Sequence, residues 1–283
     1  MELTIDGVTF GYSELKVLKD IWVKIDGPQL VSILGPNGVG KSTLIGCICK
    51  LLEPTEGAIF IDGDDVKNIS IKNLAKEMGY VPVASSDSFP MNVVDAVLMG
   101  RHPYSKWKTD DEDLKKVYDV LCRLEIEDLA MRQFNELSAG QHQKVVLARG
   151  LVQEPKILLL DEPTSNLDIR HQIEVTRILR ELSREKNMLV IMISHDINIA
   201  ATYSDNVFLM YKGGVFGAGK PWDVITEENI RTVYGVNCQI VNNNGRPHVI
   251  LNDAIHDIAS DDNWKSPYVE ETCPVLVAHD DGE

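Results

Sequence analysis

Eight residues, Gly35-Pro36-Asn37-Gly38-Val39-Gly40-Lys41-Ser42, follow the pattern GxxxxGK[ST], and the chemistry of that pattern is phosphate binding. Its glycines let successive backbone N–H groups curl around phosphate oxygens with no Cβ in the way. A helix starting at the same place aims its positive end at those oxygens. Lys41 adds a mobile charge, and the Ser42 hydroxyl can ligate Mg2+. A second candidate closes an apolar run, Ile157-Leu158-Leu159-Leu160-Asp161-Glu162. Ligands of a parallel sheet gather at the carboxyl ends of its strands. Asp161 is therefore expected to hold Mg2+ through its waters, and Glu162 to polarise or deprotonate an attacking water. Leu137-Ser138-Ala139-Gly140-Gln141 precedes a helical stretch over 142–152 and, taken alone, reads as ordinary helix capping. Taken alone, Tyr12 reads as a packed strand residue, His195 as a strand-end histidine and Asp168 as the N-cap of a helix from Ile169.

These residues need elements to hold them. Residues 3–9 and 21–25 alternate apolar and polar side chains across a turn at Ser13 and Glu14, which predicts strands. The apolar run 30–34 ends in the phosphate loop, and a helix is expected over 41–52, stopped at Pro54. A strand over 58–61 ends in Asp62 and Gly63, a hairpin-type turn. From about 91 to 143 the pattern is helical. There Thr109 and Glu112 suggest a capping box, and Leu114, Val117, Tyr118, Leu121 and Leu124 suggest one packed face. The runs 157–160 and 189–193 flank a helix over 169–186, which makes a βαβ unit of a sheet buried on both faces. After a strand over 206–211, Gly213 and Gly214 signal a hairpin. Beyond about 241 acidic residues dominate, so residues 241–283 are expected to be a solvated, partly disordered extension.

The 283 residues are 44% hydrophobic and 25% charged, with a net charge of −15. An acidic surface disfavours nucleic acid and anionic lipid, so any nucleotide site is a local exception to the global field. No apolar run is long enough to span a bilayer and no secretory signal opens the sequence. The chain is expected to be soluble by itself, reaching a membrane only through a partner chain. Five cysteines without metal-site spacing read as reduced thiols.

In this order, over roughly residues 1–240, the stretches resemble the ABC ATPase family, whose signature usually reads LSGGQ; Ala139 replaces one glycine. The resemblance implies an α/β fold: a P-loop NTPase core with a parallel sheet, an N-terminal antiparallel β subdomain, and a helical subdomain over about 84–150. It implies that ATP meets Tyr12, Gly35, Pro36, Asn37, Gly38, Val39, Gly40, Lys41, Ser42 and Thr43 on one subunit. Ser138, Ala139, Gly140, Gln141 and Asp168 of a second identical subunit would complete the site. Glu162 and His195 would be catalytic, and Ser42 and Asp161 would hold Mg2+. Residues 95–104 and 233–236 look like the importer group for iron–siderophores, haem and cobalamin. That group implies polytopic permease subunits, a substrate-binding protein acting indirectly, and a place on the cytoplasmic face of the cell membrane. A short helix of the permease would dock near residues 84–107. Oxyanion import, or a non-transport regulatory or repair ATPase, stays open. One position departs from the family: a glutamine is expected after Pro82, and Val83 stands there. Ser85, Ser86 or Asp87 could supply the missing oxygen.

Overall fold

A computed structural model describes residues 1–13, 15–83, 91–104, 110–165, 167–255 and 264–278. β1 (Glu2–Tyr12) and β2 (Leu15–Asp26) pair antiparallel, with Leu3, Ile5, Val23 and Ile25 turned inward. β3 (Leu30–Leu34) is buried along its whole length and runs through the phosphate loop into α1 (Lys41–Ile48). β4 (Glu56–Ile61) returns to β1, and Asp62 and Gly63, with φ of 49° and 87°, turn the chain into β5 (Asp64–Asp65). Both central residues at positive φ make the two-residue hairpin that Asp-Gly favours. α2 (Ile71–Glu77) leads to β6 (Met78–Val81), followed by a helical layer of α3 (Val93–Leu98), α4 (Asp111–Arg123) and α5 (Ala139–Leu151). β7 (Ile157–Leu160), α6 (Ile169–Glu185) and β8 (Leu189–Ile193) form the expected βαβ unit. α7 (Ile197–Tyr203), β9 (Asn206–Tyr211), β10 (Gly214–Gly219), α8 (Pro221–Val224) and α9 (Glu227–Tyr234) follow. β11 (Val236–Asn243) and β12 (Arg246–Ala254) make a separate hairpin, and β13 (Val275–Val277) ends the described chain.

One sheet has the order β13-β2-β1-β4-β5 and the other β10-β9-β3-β8-β7-β6. In the second, β9, β3, β8, β7 and β6 run parallel and β10 is an antiparallel edge. Side chains alternate across it with period 2. Leu189, Ile191 and Ile193 of β8 join a core shared with β1, β2 and α1, while Val190 and Met192 join the core under the helical layer. β7 divides in the same way, Ile157 and Leu159 against Leu158 and Leu160. Leu34, Val207 and Leu209 join a third core with α7, α8 and α9, so the sheet is clamped on both faces, and the phosphate loop and the acidic strand end emerge from its carboxyl edge.

Three expectations are corrected. α4 is capped by Asp110, whose side chain accepts from the Glu112 N–H; Thr109 lies outside the described residues. Leu114 and Tyr118 are exposed, because the core meets only the narrower stripe of Val117, Leu121 and Leu124. The boundary at 241 cuts through β11, and residues 264–278 are packed onto the core. β13 adds a parallel strand to the free edge of β2, with Leu276 1% exposed in the core. The Gln29 amide donates to Leu276 O (2.9 Å), and the Asn206 amide bridges Gln29 Oε1 (2.7 Å) and Val277 O (2.8 Å). Trp264 stacks on Phe216, and Ala218 N–H donates to the Tyr268 hydroxyl. Charge counting misses this because a few well-placed apolar and amide contacts suffice to dock an acidic segment.

Candidate active site

β3 stops at Gly35, where φ is 146° and a Cβ would run into the Met210 carbonyl, so only glycine fits. The chain then curls through Gly38 (φ 76°) and Gly40 (φ 107°) into α1. Lys41 is 6% exposed, and its Nζ donates to the carbonyls of Gly35 (2.7 Å) and Pro36 (2.9 Å). Burial lowers its pKa, opposed by the carboxylates of Glu162 and Asp161. The ammonium is thereby stored inside the loop, at the place where phosphate charge would be received. Tyr234 of α9 approaches the loop at Gly35, and burial pushes its hydroxyl up to about 12, opposed by the Gly35 backbone N–H.

Ser42 Oγ donates to Asp161 Oδ1 at 3.0 Å across the join of α1 and β7. Burial raises the Asp161 carboxyl, and the Ser42 hydrogen bond works against that rise. Glu162 has φ 51°, a left-handed backbone costing about 1–2 kcal/mol for a non-glycine residue. That bend turns its side chain toward His195, whose Nε2 lies 2.6 Å from Glu162 Oε1. A cavity of about 350 Å³ gathers Val17, Asn37, Gly38, Gly40, Lys41, Ser42, Thr43, Glu162 and His195. Asp161 and Ser42 together offer hard oxygen donors, which fits Mg2+. Pro36 and the buried Val39 belong to the loop framework. Val17 is a lining residue that the sequence reading does not single out; a valine in a strand carries no signal of its own.

Other candidate residues stand elsewhere. Tyr12 is exposed at the end of β1, edge-on to Phe10 (5.0 Å between centroids). Ser138 and Gln141 form a reciprocal capping box at the start of α5: Gln141 N–H donates to Ser138 Oγ at 3.3 Å, and Ser138 N–H to Gln141 Oε1 at 3.1 Å. Ser138 and Ala139 are exposed, Gly140 is half-buried, and none of the four residues lines the cavity. Asp168 caps α6 by accepting from the His171 N–H (2.9 Å) and is exposed. Val83 follows Pro82 at 40% exposure, and Ser85, Ser86 and Asp87 lie outside the described residues. Residues 95–104 of the sequence reading end in a buried lock. Arg101 contacts Asp113 Oδ1 (2.7 Å), Glu154 Oε2 (3.2 Å) and Val152 O (3.1 Å), at the C-terminal end of α5.

The sequence profile of the ABC transporter family matches residues 18–165, from β2 through the acidic strand end. The chain belongs to the ABC transporter ATP-binding family. Its members hydrolyse ATP, and this cassette has the ATPase fold. An uncharacterised ABC transporter ATP-binding protein of Methanocaldococcus jannaschii is 48% identical over 250 residues, 88% of this chain and 98% of that one. The hemin import ATP-binding protein of Escherichia coli O157:H7 is 35% identical over 257 residues, 88% and 99% of the two chains. Among solved structures, an inward-facing ABC transporter described as metal-chelate type matches with TM-score 0.77 at 27% identity, covering 89% of this chain and 97% of that one. A dimeric bacterial ABC transporter cassette matches with TM-score 0.70 at 29% identity, covering 77% and 98%. Among the described residues, no helix of this cassette is long and apolar enough to cross a membrane.

Proposed function

We propose that this cassette is the motor of an importer for a metal chelate of the iron–siderophore, haem or cobalamin type. Two copies would close head to tail on ATP, and their closing and opening would drive partner permease subunits at the cytoplasmic face of the cell membrane. The carrying observation is that the phosphate cavity holds Lys41, Ser42, Glu162 and His195 but none of residues 138–141, as a site divided between two copies requires. An exposed helix start with a capping box and a small-residue turn suits a phosphate arriving from outside the chain. The dimeric cassette that this chain resembles supports the same arrangement, and the hemin import relative and the metal-chelate transporter support the ligand class. The permease would take ligand from a binding protein, so no ligand site is assigned to this chain.

In this reading Lys41 and the loop N–H groups bind the β- and γ-phosphates, Asn37 and Thr43 complete the cradle, and Tyr12 stacks on the base. Mg2+ held by Ser42 and Asp161 would neutralise phosphate charge. Glu162 takes a proton from water as its oxygen attacks the γ-phosphorus and the bond to the β-phosphate bridge breaks, releasing ADP and phosphate. His195, already in contact with Glu162, orients that carboxylate and reaches the γ-phosphate. Asp168 meets the partner copy.

Glu162→Gln keeps the shape of the site but removes the base. The variant is expected to sediment as a dimer with ATP and Mg2+ and as a monomer without them. A monomer at saturating ATP would refute the two-copy site. The transport reading is checked by isolating the cassette from detergent-solubilised membranes, where a polytopic permease should co-purify; recovery without one refutes it.

A further inference from the structure

The first turns of α5 and α6 lie side by side, and the side chain between them is His171, which the mechanism above does not use. Its ring Nδ1 lies 2.8 Å from Asp168 Oδ1, the oxygen that also accepts from the His171 N–H. The next residue, Gln172, donates its amide to Thr164 O (3.1 Å) and Leu167 O (2.9 Å). Thr164, Leu167 and Asp168 are therefore fastened to the start of α6. The ring is turned toward the start of α5: a Cβ built on Gly140 would sit 3.6 Å from His171 Cδ2, 3.7 Å from Cγ and 3.8 Å from Nδ1. One turn further along, Lys144 of α5 lies 4.0 Å from Glu174 of α6, and Glu174 also pairs with Arg170 at 2.8 Å. The neighbouring charges thus satisfy one another, and the ring is left to Asp168 and Gly140. The imidazole stands as a spacer between two helix starts, one carrying the exposed Ser138 and Ala139 and the other the exposed Asp168.

We propose that His171 is a positioning residue that holds turn 138–141 and Asp168 in one fixed relation, so that both meet the partner copy in register. The idea rests on the two-copy reading above. Two segments presented to one partner act together only if their spacing is preset; otherwise each association spends free energy on ordering them. A planar ring with two side-chain torsions, anchored through Nδ1 by a carboxylate and lying beside Gly140, presets that spacing. The Asp168 carboxylate is held below its usual range by the backbone and side-chain hydrogen bonds of His171, so the anchor is ionised at neutral pH.

The test uses the full chain carrying Glu162→Gln, with and without His171→Ala or His171→Asn. The readouts are the ATP concentration for half-maximal dimerisation by sedimentation, the affinity of the dilute monomer for a fluorescent ATP analogue, and Tm. His171→Ala is expected to raise the dimerisation midpoint about two- to tenfold, the worth of one hydrogen bond with its packing. Monomer affinity should be unchanged, because the phosphate loop is untouched. His171→Asn places an amide N–H near the position of Nδ1 and should recover part of the loss. Should the alanine chain fold poorly, the asparagine chain decides alone, with a midpoint above the parent's at unchanged monomer affinity. A dimerisation midpoint equal to the parent's in both variants overturns the proposal. So does an equal weakening of monomer affinity, which would mean that His171 acts on the phosphate loop. A Glu162→Gln parent that never dimerises is a different result: it removes the two-copy reading itself.

Discussion

Leu276→Ala tests whether the acidic C-terminal segment is part of the fold. Leu276 is 1% exposed, sits at the centre of β13 and joins the core shared by β1, β2, α1 and the parallel sheet. Truncating a buried leucine removes three methyl(ene) carbons and leaves a cavity, costing about 2–4 kcal/mol when the site cannot collapse. Collapse is opposed here because the backbone on either side is pinned: Gln29 holds Leu276 O and Asn206 holds Val277 O. For a protein of this size each kcal/mol is worth about 2–4 °C, so Tm should fall by about 5–15 °C. Calorimetry or circular-dichroism melting of the ATP-free protein reads this directly, and urea unfolding should show a lower midpoint with an unchanged slope. Val275→Ala, at a position 53% exposed on the same strand, is the control and should move Tm by no more than about 2 °C. Equal, small shifts for both variants would refute the reasoning and return the segment to the solvated extension that its charge suggests.

Lys41→Ala should weaken ATP binding by an order of magnitude or more, since Lys41 is the buried cation of the loop; equilibrium titration with a nucleotide analogue checks it. Val83→Gln restores a polar group where the family expects one, and should raise steady-state ATP turnover by up to about 10²-fold with little change in affinity. Equal turnover would mean that Val83 is compensated. Arg101→Met breaks a buried charge cluster while keeping volume, leaving Asp113 unpaired, and should destabilise the fold by about 3 kcal/mol in urea unfolding. Asp161→Asn should abolish Mg2+-dependent turnover yet raise the Tm of the nucleotide-free protein at neutral pH. Burial raises the Asp161 carboxyl above the usual carboxylate range, so its contribution to stability is full below the unfolded pKa and is lost as pH rises through the folded one. The gain from Asn should accordingly vanish in acid, and a Tm gain that persists there would contradict that sign.

The phosphate loop, the acidic strand end and the βαβ unit were legible in the sequence because each is written in adjacent residues. GxxxxGK[ST] encodes its own backbone conformation, and an unbroken run such as Ile157-Leu158-Leu159-Leu160, closed by two carboxylates, suits a strand covered on both faces. The capping of α5 by Ser138 and Gln141 was equally local, a contact between residues three apart. Contacts spanning the chain were decided by tertiary structure alone. Tyr234 reaches Gly35, His171 reaches Gly140 and Gln29 reaches Leu276 across distances in sequence over which no periodicity carries information. The C-terminal segment shows the difference most plainly. Its composition predicts solvation, since many acids and few apolar groups bury little area on average. Folding does not average: one leucine, one tryptophan and two side-chain amide hydrogen bonds, meeting an open strand edge at β2, suffice to hold it. Which edge lies open, and which side chains wait beside it, is fixed only once both sheets have assembled.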